Sequence, residues 1–162
     1  KPVELTSFLE HAMSVNASLA KKKDMRIVLE PASASLRVHA DADRLLQVVT
    51  NLLSNAAKFC KRGDGRVSVT LARQDRFLRV DVTDNGAGVS DSDQEVIFEK
   101  FRQVGNTLTD RPQGTGLGLP ICRQIIHHFG GSLWVESRPG QGATFSFTLP
   151  LQHAAARMPL AA

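Results

Sequence analysis

Two neighbouring stretches near the middle of the chain alternate apolar and polar residues, and this alternation constrains the fold more than any other feature. A period of two residues is that of a β-strand, whose successive side chains point to opposite faces. Residues 73–76, between the two stretches, are all polar. The pattern therefore predicts a β-hairpin that turns at 73–76. Its apolar positions are Val67, Val69 and Leu71 in the first strand and Leu78, Val80 and Val82 in the second.

Apolar residues recur at helical spacing elsewhere in the chain. One such pattern covers residues 43–59, and either Asp41 or Asp43 can cap this helix. A further helix begins near Gly116 and ends at the glycine pair 130–131. The other helical patterns cover residues 6–22 and, over a short piece, 94–98.

Short apolar runs bounded by turn residues predict four strands besides the hairpin. The first two lie on either side of a turn at Pro31. The order of helices and strands predicts an α+β fold, a two-layer α/β sandwich. In it, about three helices cover one face of a single mixed, mostly antiparallel sheet. The additional strands are residues 26–30, 36–39, 133–135 and 144–149.

Composition is that of one globular domain. Hydrophobic residues make up 42% and charged residues 22% of the 162, which argues against disorder. We expect the domain to cover residues 1–150 and residues 151–162 to be a tail or linker. No apolar run approaches the roughly 20 residues that span a bilayer. Because the first residue is Lys, we expect a cytoplasmic piece of a longer protein, whose anchoring in the inner membrane stays open.

Charge and cysteine usage exclude two classes of function. The net charge is +4, but the basic residues are scattered, Tyr is absent and Trp134 is the single tryptophan. Such a chain lacks the basic stripe with stacking aromatics that nucleic-acid binding needs. Cys60 and Cys122 are far apart in sequence, which predicts reduced thiols rather than a disulfide or a metal site.

The predicted helix 43–59 carries a polar stripe. Asn51, Asn55 and Lys58 stand at i, i+4 and i+7 and share one helix face. Amide oxygens suit Mg²⁺, and an ammonium group suits phosphate oxygens. Taken alone, the stripe is more simply a solvated helix face.

The second hairpin strand runs into the sequence Asp84-Asn85-Gly86-Ala87-Gly88. Its carboxylate can accept a hydrogen bond from an exocyclic amine, and its glycines allow a planar ligand to approach the backbone. The same residues are also a strong turn signal, so a plain turn is an equal alternative.

A long polar segment precedes the last helix. Phe98 and Phe101, at i and i+3, favour simple core packing, whereas residues 102–113 contain Gly and Pro and have no period. Long aperiodic loops in compact domains are usually functional or disordered. The glycine-rich run after this loop can offer backbone N–H groups to an anion, but it fits neither the P-loop nor the dinucleotide fingerprint. That run is Gly114, Thr115, Gly116, Leu117, Gly118 and Leu119.

The order and spacing of these motifs are more specific than any one of them. The series NLLSNAAKF, DNGAGV, IFEKF and GTGLGL resembles the GHKL superfamily, and within it the catalytic, ATP-binding domain of sensor histidine kinases. The resemblance covers about residues 1–150. It implies a Bergerat-type fold and a protein-histidine kinase of two-component signalling that uses ATP and Mg²⁺.

The resemblance also implies roles for residues. Asn55 would hold Mg²⁺, Asn51 would assist at the phosphates, and Lys58 would contact phosphate oxygens. Asp84 would accept a hydrogen bond from the adenine amine, and Gly86 and Gly88 would admit the ring.

Further residues follow from the same resemblance. Residues 102–113 would form an ATP lid, with Arg102 or Arg111 reaching the γ-phosphate, and Gly114, Gly116 and Gly118 would shape its hinge. Phe98 and Phe101 would help to dock the domain on its partner helices. The remaining residues implied at the nucleotide are Phe59, Val89, Phe98, Thr115, Leu117, Leu119 and Thr144.

Asn51 separates kinase from ATPase. The superfamily's ATPases have at this position a Glu that activates water, whereas an amide is no general base.

None of the five histidines has the Ser-x-x-x-His-Glu/Asp context of the family's acceptor. The implied partners are therefore ATP, separate histidine-bearing dimerisation helices and a response regulator, and we expect the isolated domain to be a monomer. Two alternatives stay open: a degenerate relative that acts as a scaffold, and a serine kinase of the anti-sigma type.

Overall fold

A computed structural model describes residues 1–22, 24–30, 35–61, 63–98, 118–137 and 140–152. The helices in these ranges are α1 (Leu5–Val15), α2 (Ala17–Lys22), α3 (Ala42–Phe59), α4 (Asp91–Val96) and α5 (Gly118–His128). The strands are β1 (Pro2–Glu4), β2 (Met25–Glu30), β3 (Arg37–His39), β4 (Gly65–Gln74), β5 (Phe77–Asp84), β6 (Ser132–Ser137) and β7 (Ala143–Pro150).

The main sheet has five strands in the order β2-β4-β5-β7-β6. Strands β4 and β5 form the predicted hairpin, with Leu71 opposite Val80, and Asp75 in its turn has a φ of 58°. Among the strands that the structure describes, β2 and β4 form the one parallel pair of this sheet, and its other pairs are antiparallel. The predicted α+β sandwich with a mixed, mostly antiparallel sheet is confirmed.

Alternation gives the main sheet one apolar and one polar face. Val69, Val80 and Phe147 are fully buried on the apolar face, against which α3 and α5 pack. The opposite face carries Arg79, whose Nε donates to Asp81 at 2.8 Å. The helices and the functional residues they carry are therefore held above a single face of the sheet.

The prediction of one helix over residues 6–22 was wrong. The helix stops at Asn16, whose backbone N–H donates to the carbonyl oxygens of Ala12 and Met13. Its side-chain Nδ2 donates to Ala12 O at 2.8 Å and to Thr50 Oγ1 of α3 at 3.3 Å. Local side-chain bonds of Asn compete with the helical ladder, so α1 ends here and α2 begins at Ala17.

The prediction of a single sheet was also wrong, because β3 does not pair with β2. It pairs with β1, an unpredicted strand, and places Val3 opposite Val38 in a separate two-stranded sheet. Strand β1 has only three residues, too few for an alternation to be recognised. The predicted turn at Pro31 lies outside the described residues.

The ends of the long helix follow the predicted signals. Asp41, one of the two predicted caps, is the N-cap of α3, and its Oδ1 accepts from the N–H groups of Asp43 and Arg44 at 2.9 and 3.3 Å. The short helix α4 begins at Asp91 rather than at residue 94, because the Ser90 side chain caps it. No helix within the described ranges is long and apolar enough to cross a membrane.

Candidate nucleotide-binding site

The polar stripe of α3 lies beside the fully buried face of the helix, and Asn51 reaches into the contact with α5. Asn51 and Asn55 are half-buried and Lys58 is exposed. The Nδ2 group of Asn55 donates to the carbonyl oxygen of Asn51 at 3.1 Å, so the amide oxygen is the atom left for a cation. Lys58 Nζ lies 5.3 Å from the centroid of the Phe59 ring.

Asp84 ends β5 as a buried carboxyl group. It is 3% exposed, and its Oδ1 accepts from the N–H of Gly86 at 2.8 Å. Burial raises the pKa of Asp84, and hydrogen bonds from the backbone N–H groups of Gly86 and Ala143 partly oppose that rise. A buried carboxylate at the end of a strand can bind a hydrogen-bond donor with little competition from water.

Gly86 brings the loop after β5 against the end of α3. A Cβ at this position would lie 1.7 Å from the carbonyl oxygen of Phe59, so only glycine permits the approach. Gly88 has a φ of 83°, the left-handed region that glycine adopts without strain. The loop carrying Asp84 therefore lies against the C-terminal end of the helix that carries Asn55.

The side chain of Asn85 holds the same loop against the turn that follows α3. Its sequence context does not reveal this role. Its Oδ1 accepts from the N–H groups of Lys61 and Arg66 at 3.3 and 3.0 Å. Its Nδ2 donates to the carbonyl oxygen of Asp64 at 2.7 Å. The turn after α3 is thereby tied to the residue beside Asp84. The Asn-Gly pair signals a turn in the sequence, but not these partners.

The far end of the loop is held by β6 and α4. The backbone N–H of Val89 donates to Ser137 Oγ at 2.7 Å, and that hydroxyl donates to the carbonyl oxygen of Gly142 at 2.8 Å. Gln94 Nε2 donates to the carbonyl oxygens of Val89 and Ser137 at 2.8 and 3.1 Å. Ser137 and Gln94 are positioning residues with no recognisable signal in the sequence.

The glycine-rich run reaches the same site at its end. A Cβ on Gly118 would lie 3.7 Å from Asn51 Oδ1, so the start of α5 lies beside the polar stripe. Leu119 is half-buried and packs against the core. The other predicted residues of this region lie outside the described ranges, namely Phe101, Arg102, Arg111, Gly114, Thr115, Gly116 and Leu117.

The side chains of two further predicted nucleotide residues, Thr144 and Phe98, make contacts within the fold. Thr144 lies on the polar face of the sheet, where its Oγ1 is 3.0 Å from Oγ1 of Thr83. The Phe98 ring packs edge-on against Phe145 at 6.4 Å between centroids. Arg123 lies 4.5 Å above the Phe98 ring. The residue before Thr144 contacts the site instead, because the backbone N–H of Ala143 donates to the Asp84 carboxyl group.

These residues fit ATP with Mg²⁺ on their donor chemistry. The buried Asp84 offers an acceptor for an exocyclic amine, and Gly86 and Gly88 keep the neighbouring wall free of side chains. Asn55 would hold the cation through a hard amide oxygen, with Asn51 beside it. Lys58 would supply a positive charge for phosphate oxygens.

Comparison with known proteins agrees with this geometry. The family model of histidine kinase-, DNA gyrase B- and HSP90-like ATPases matches residues 40–153. The adaptive-response sensory kinase SasA of a Synechocystis species is 37% identical over 153 residues, which cover 93% of this chain and 39% of that protein. The catalytic domain of histidine kinase ThkA is 31% identical with a TM-score of 0.79, covering 93% of this chain and 94% of the other.

Two further structures contain bound molecules. Full-length ShkA in complex with AMPPNP has a TM-score of 0.80 at 32% identity, over 95% of this chain and 31% of that one. ThkA in complex with the response regulator protein TrrA has a TM-score of 0.77 at 27% identity, over 94% of this chain and 42% of that one.

The chain therefore belongs to the family of histidine kinase-, DNA gyrase B- and HSP90-like ATPases. Within that family it matches the catalytic domain of histidine kinases along almost the whole of both chains. It spans about two-fifths of the length of SasA.

Proposed function

We propose that this chain binds ATP with Mg²⁺ between α3 and the loop after β5, and that it transfers the γ-phosphoryl group to a histidine on separate dimerisation helices. The arrangement that carries the proposal is the pairing of buried Asp84 with the stripe of Asn51, Asn55 and Lys58 across Gly86. One end of this site suits an adenine amine and the other suits phosphates.

Asn51 favours transfer to a protein over hydrolysis. A neutral amide cannot take a proton from water near neutral pH, so this site lacks at that position the base that would activate water. The bound cation would compensate the charge of the phosphate oxygens. The chain's own residues would then bind and orient the nucleotide, which is most of what phosphoryl transfer requires.

The downstream partner that we propose is a response regulator. ThkA has a structure in complex with the response regulator protein TrrA. This chain shares the fold of ThkA in that complex and is 27% identical to it in sequence. The acceptor histidine would come from dimerisation helices, since no histidine of this sequence has the acceptor context. The transferred group would move from ATP to that histidine and then to the regulator.

The chain alone should hydrolyse ATP barely above background and should not phosphorylate itself. Mixed with the histidine-bearing helices of its own parent protein and labelled ATP, it should place an acid-labile phosphate on those helices. Asn55→Ala should stop this transfer, because it removes the amide oxygen that we assign to Mg²⁺. The measurement is label retained on the helices after gel separation, with and without acid treatment.

Ser54→Ala is the matched control, because Ser54 is exposed on the same helix beside Asn55 and should leave transfer unchanged. Rapid hydrolysis by the isolated chain would contradict the kinase assignment and favour an ATPase. Acid-stable phosphate on serine would favour the serine-kinase alternative. Absence of ATP binding would favour the scaffold.

A further inference from the structure

Cys122 contacts the polar stripe from a different helix. Its side chain is fully buried between α5 and α3. The Nδ2 group of Asn51 donates to Cys122 Sγ at 3.4 Å, and the thiol lies 3.9 Å from the carbonyl oxygen of Val48, to which it donates. Burial raises the pKa of the Cys122 thiol to about 11. The sulfur is therefore protonated near neutral pH and can donate one hydrogen bond while accepting another.

This contact determines which end of the Asn51 amide is available. The nitrogen is engaged with the sulfur, and the oxygen lies on the side of Gly118, 3.7 Å from where a Cβ would be. The Asn55 amide is oriented in the same way, because its Nδ2 donates to the carbonyl oxygen of Asn51 at 3.1 Å. Both amides thus have their nitrogens engaged by the protein and their oxygens left for a ligand.

We propose that Cys122 is a positioning residue that holds the Asn51 amide with its oxygen toward the cation accompanying the phosphates. The proposal rests on the proposed function, in which this stripe binds Mg²⁺ and phosphate. Asn55 is oriented by its own helix, whereas Asn51 is oriented by α5. An aliphatic residue at position 122 would fill the same space but would let the amide rotate.

The first experiment compares Cys122→Val, which removes the acceptor, with Cys122→Ser, which retains one. Ile126→Val is the matched control, because Ile126 is fully buried one turn later on α5 and the change removes a methyl group without touching Asn51. AMPPNP affinity is measured by calorimetry with Mg²⁺ and again with EDTA. We expect Cys122→Val to weaken binding about two- to tenfold with Mg²⁺ and little with EDTA, the range of one net hydrogen bond.

Cys122→Ser should stay closer to the unsubstituted chain than Cys122→Val, and Ile126→Val should bind as the unsubstituted chain does in both conditions. Equal weakening with and without Mg²⁺ would mean that Cys122 only supports packing, and unchanged affinity in Cys122→Val would also overturn the proposal. Thermal unfolding is recorded for each variant. If Cys122→Val does not fold, Cys122→Ala takes its place, since it removes the same acceptor without adding volume.

A second measurement does not depend on nucleotide binding. The side-chain amide signals of Asn51, assigned by their loss in Asn51→Ala, are followed by NMR in the nucleotide-free chain. They should shift in Cys122→Val and remain in place in Ile126→Val. If the Asn51 amide signals have the same positions in Cys122→Val as in Ile126→Val, the contact between Asn51 and Cys122 is refuted. Failure of the unsubstituted chain to bind AMPPNP would instead refute the proposed function, which separates the two claims.

Discussion

The carboxylate of Asp84 lies in surroundings that disfavour its charge. It is 3% exposed, and burial raises its pKa above the usual value despite two backbone N–H donors. A carboxyl group whose pKa is raised by folding destabilises the fold when it is ionised, that is, above the folded-state pKa. Below the unfolded-state pKa of about 3.8 this cost disappears. The adenine site that we propose would use the ionised form, the stronger hydrogen-bond acceptor, so stability and binding would be opposed at this residue.

Asp84→Asn should therefore separate the two properties. It keeps the shape and removes the charge, so the thermal midpoint of the nucleotide-free chain should rise at pH 7. That gain should shrink as the pH falls through the folded-state pKa of Asp84 toward 3.8. ATP affinity should fall about ten- to a hundredfold, because a charge-assisted hydrogen bond is lost. Differential scanning calorimetry and titration calorimetry measure the two effects, and unchanged affinity would remove Asp84 from the adenine site.

Gly86 is a position at which a side chain would collide with the end of α3. Gly86→Ala would place a Cβ 1.7 Å from the carbonyl oxygen of Phe59, and one of the two segments would have to move. We expect a loss of about 3 kcal/mol in the free energy of unfolding, the upper range for overpacking. Urea denaturation measures it.

Gly63→Ala is the control for Gly86→Ala. Gly63 has a φ of 76°, but a Cβ at this position would meet no atom within 4 Å, so only backbone strain of about 1 kcal/mol is expected. Equal losses in the two variants would show that the contact with Phe59 is not the cause.

At the scale of elements, contacts at both ends of α3 fix the position of this helix. Asp41 caps the start, where its Oδ1 accepts from two backbone N–H groups, and the carbonyl oxygen of Phe59 closes against Gly86 at the other end. The three polar residues of the stripe lie within the last three turns of this helix. Their positions therefore depend on where the helix begins and on what stops it.

Asp41→Ala should lower the free energy of unfolding by about 1 kcal/mol, the usual effect of losing an N-cap. Asp43→Ala removes only a favourable charge from the first turn and should cost about 0.5 kcal/mol or less. Urea denaturation of both variants, followed by far-ultraviolet circular dichroism, measures the difference. Equal effects would indicate that charge at the helix start matters rather than the cap.

For the whole molecule, the strand β3 is where distant segments meet. The N–H of Ala40, directly after β3, donates to the carbonyl oxygen of Lys1 at 3.0 Å, and the N–H of Gln152 donates to that of Arg37 at 2.8 Å. The N–H of Leu151 donates to the carbonyl oxygen of Arg76 at 2.9 Å, and its side chain packs on the core. Residues 151–152 were predicted as the start of a tail, but their backbone is bonded to the fold.

Shortening the chain tests that boundary. A chain that stops after Gln152 keeps both backbone hydrogen bonds, whereas one that stops after Pro150 loses them and the partly buried Leu151. The shorter chain should be less stable by about 2 kcal/mol. Equal denaturation midpoints in urea would support the predicted boundary at residue 150.

The sequence by itself determined the features that depend on near neighbours. The hairpin at residues 73–76 follows from alternation, the cap at Asp41 from a local side chain, and the polar stripe of α3 from helical spacing. The motif series also identified the family, because the order and spacing of its motifs match those of the family. The hairpin, the cap and the stripe are each complete within a few turns of helix or one pair of strands, and the motif series consists of such local segments in a fixed order.

Tertiary structure decided the features whose partners are remote. Asn16 ends α1 through a bond that includes Thr50, 34 residues away, and Cys122 reaches Asn51 over 71 residues. The pairing of β1 with β3 and the approach of Gly86 to Phe59 use backbone groups, which every residue type carries. Sequence shows which side chains are present, but a contact with a backbone carbonyl or a distant amide exists only once packing has brought the two segments together.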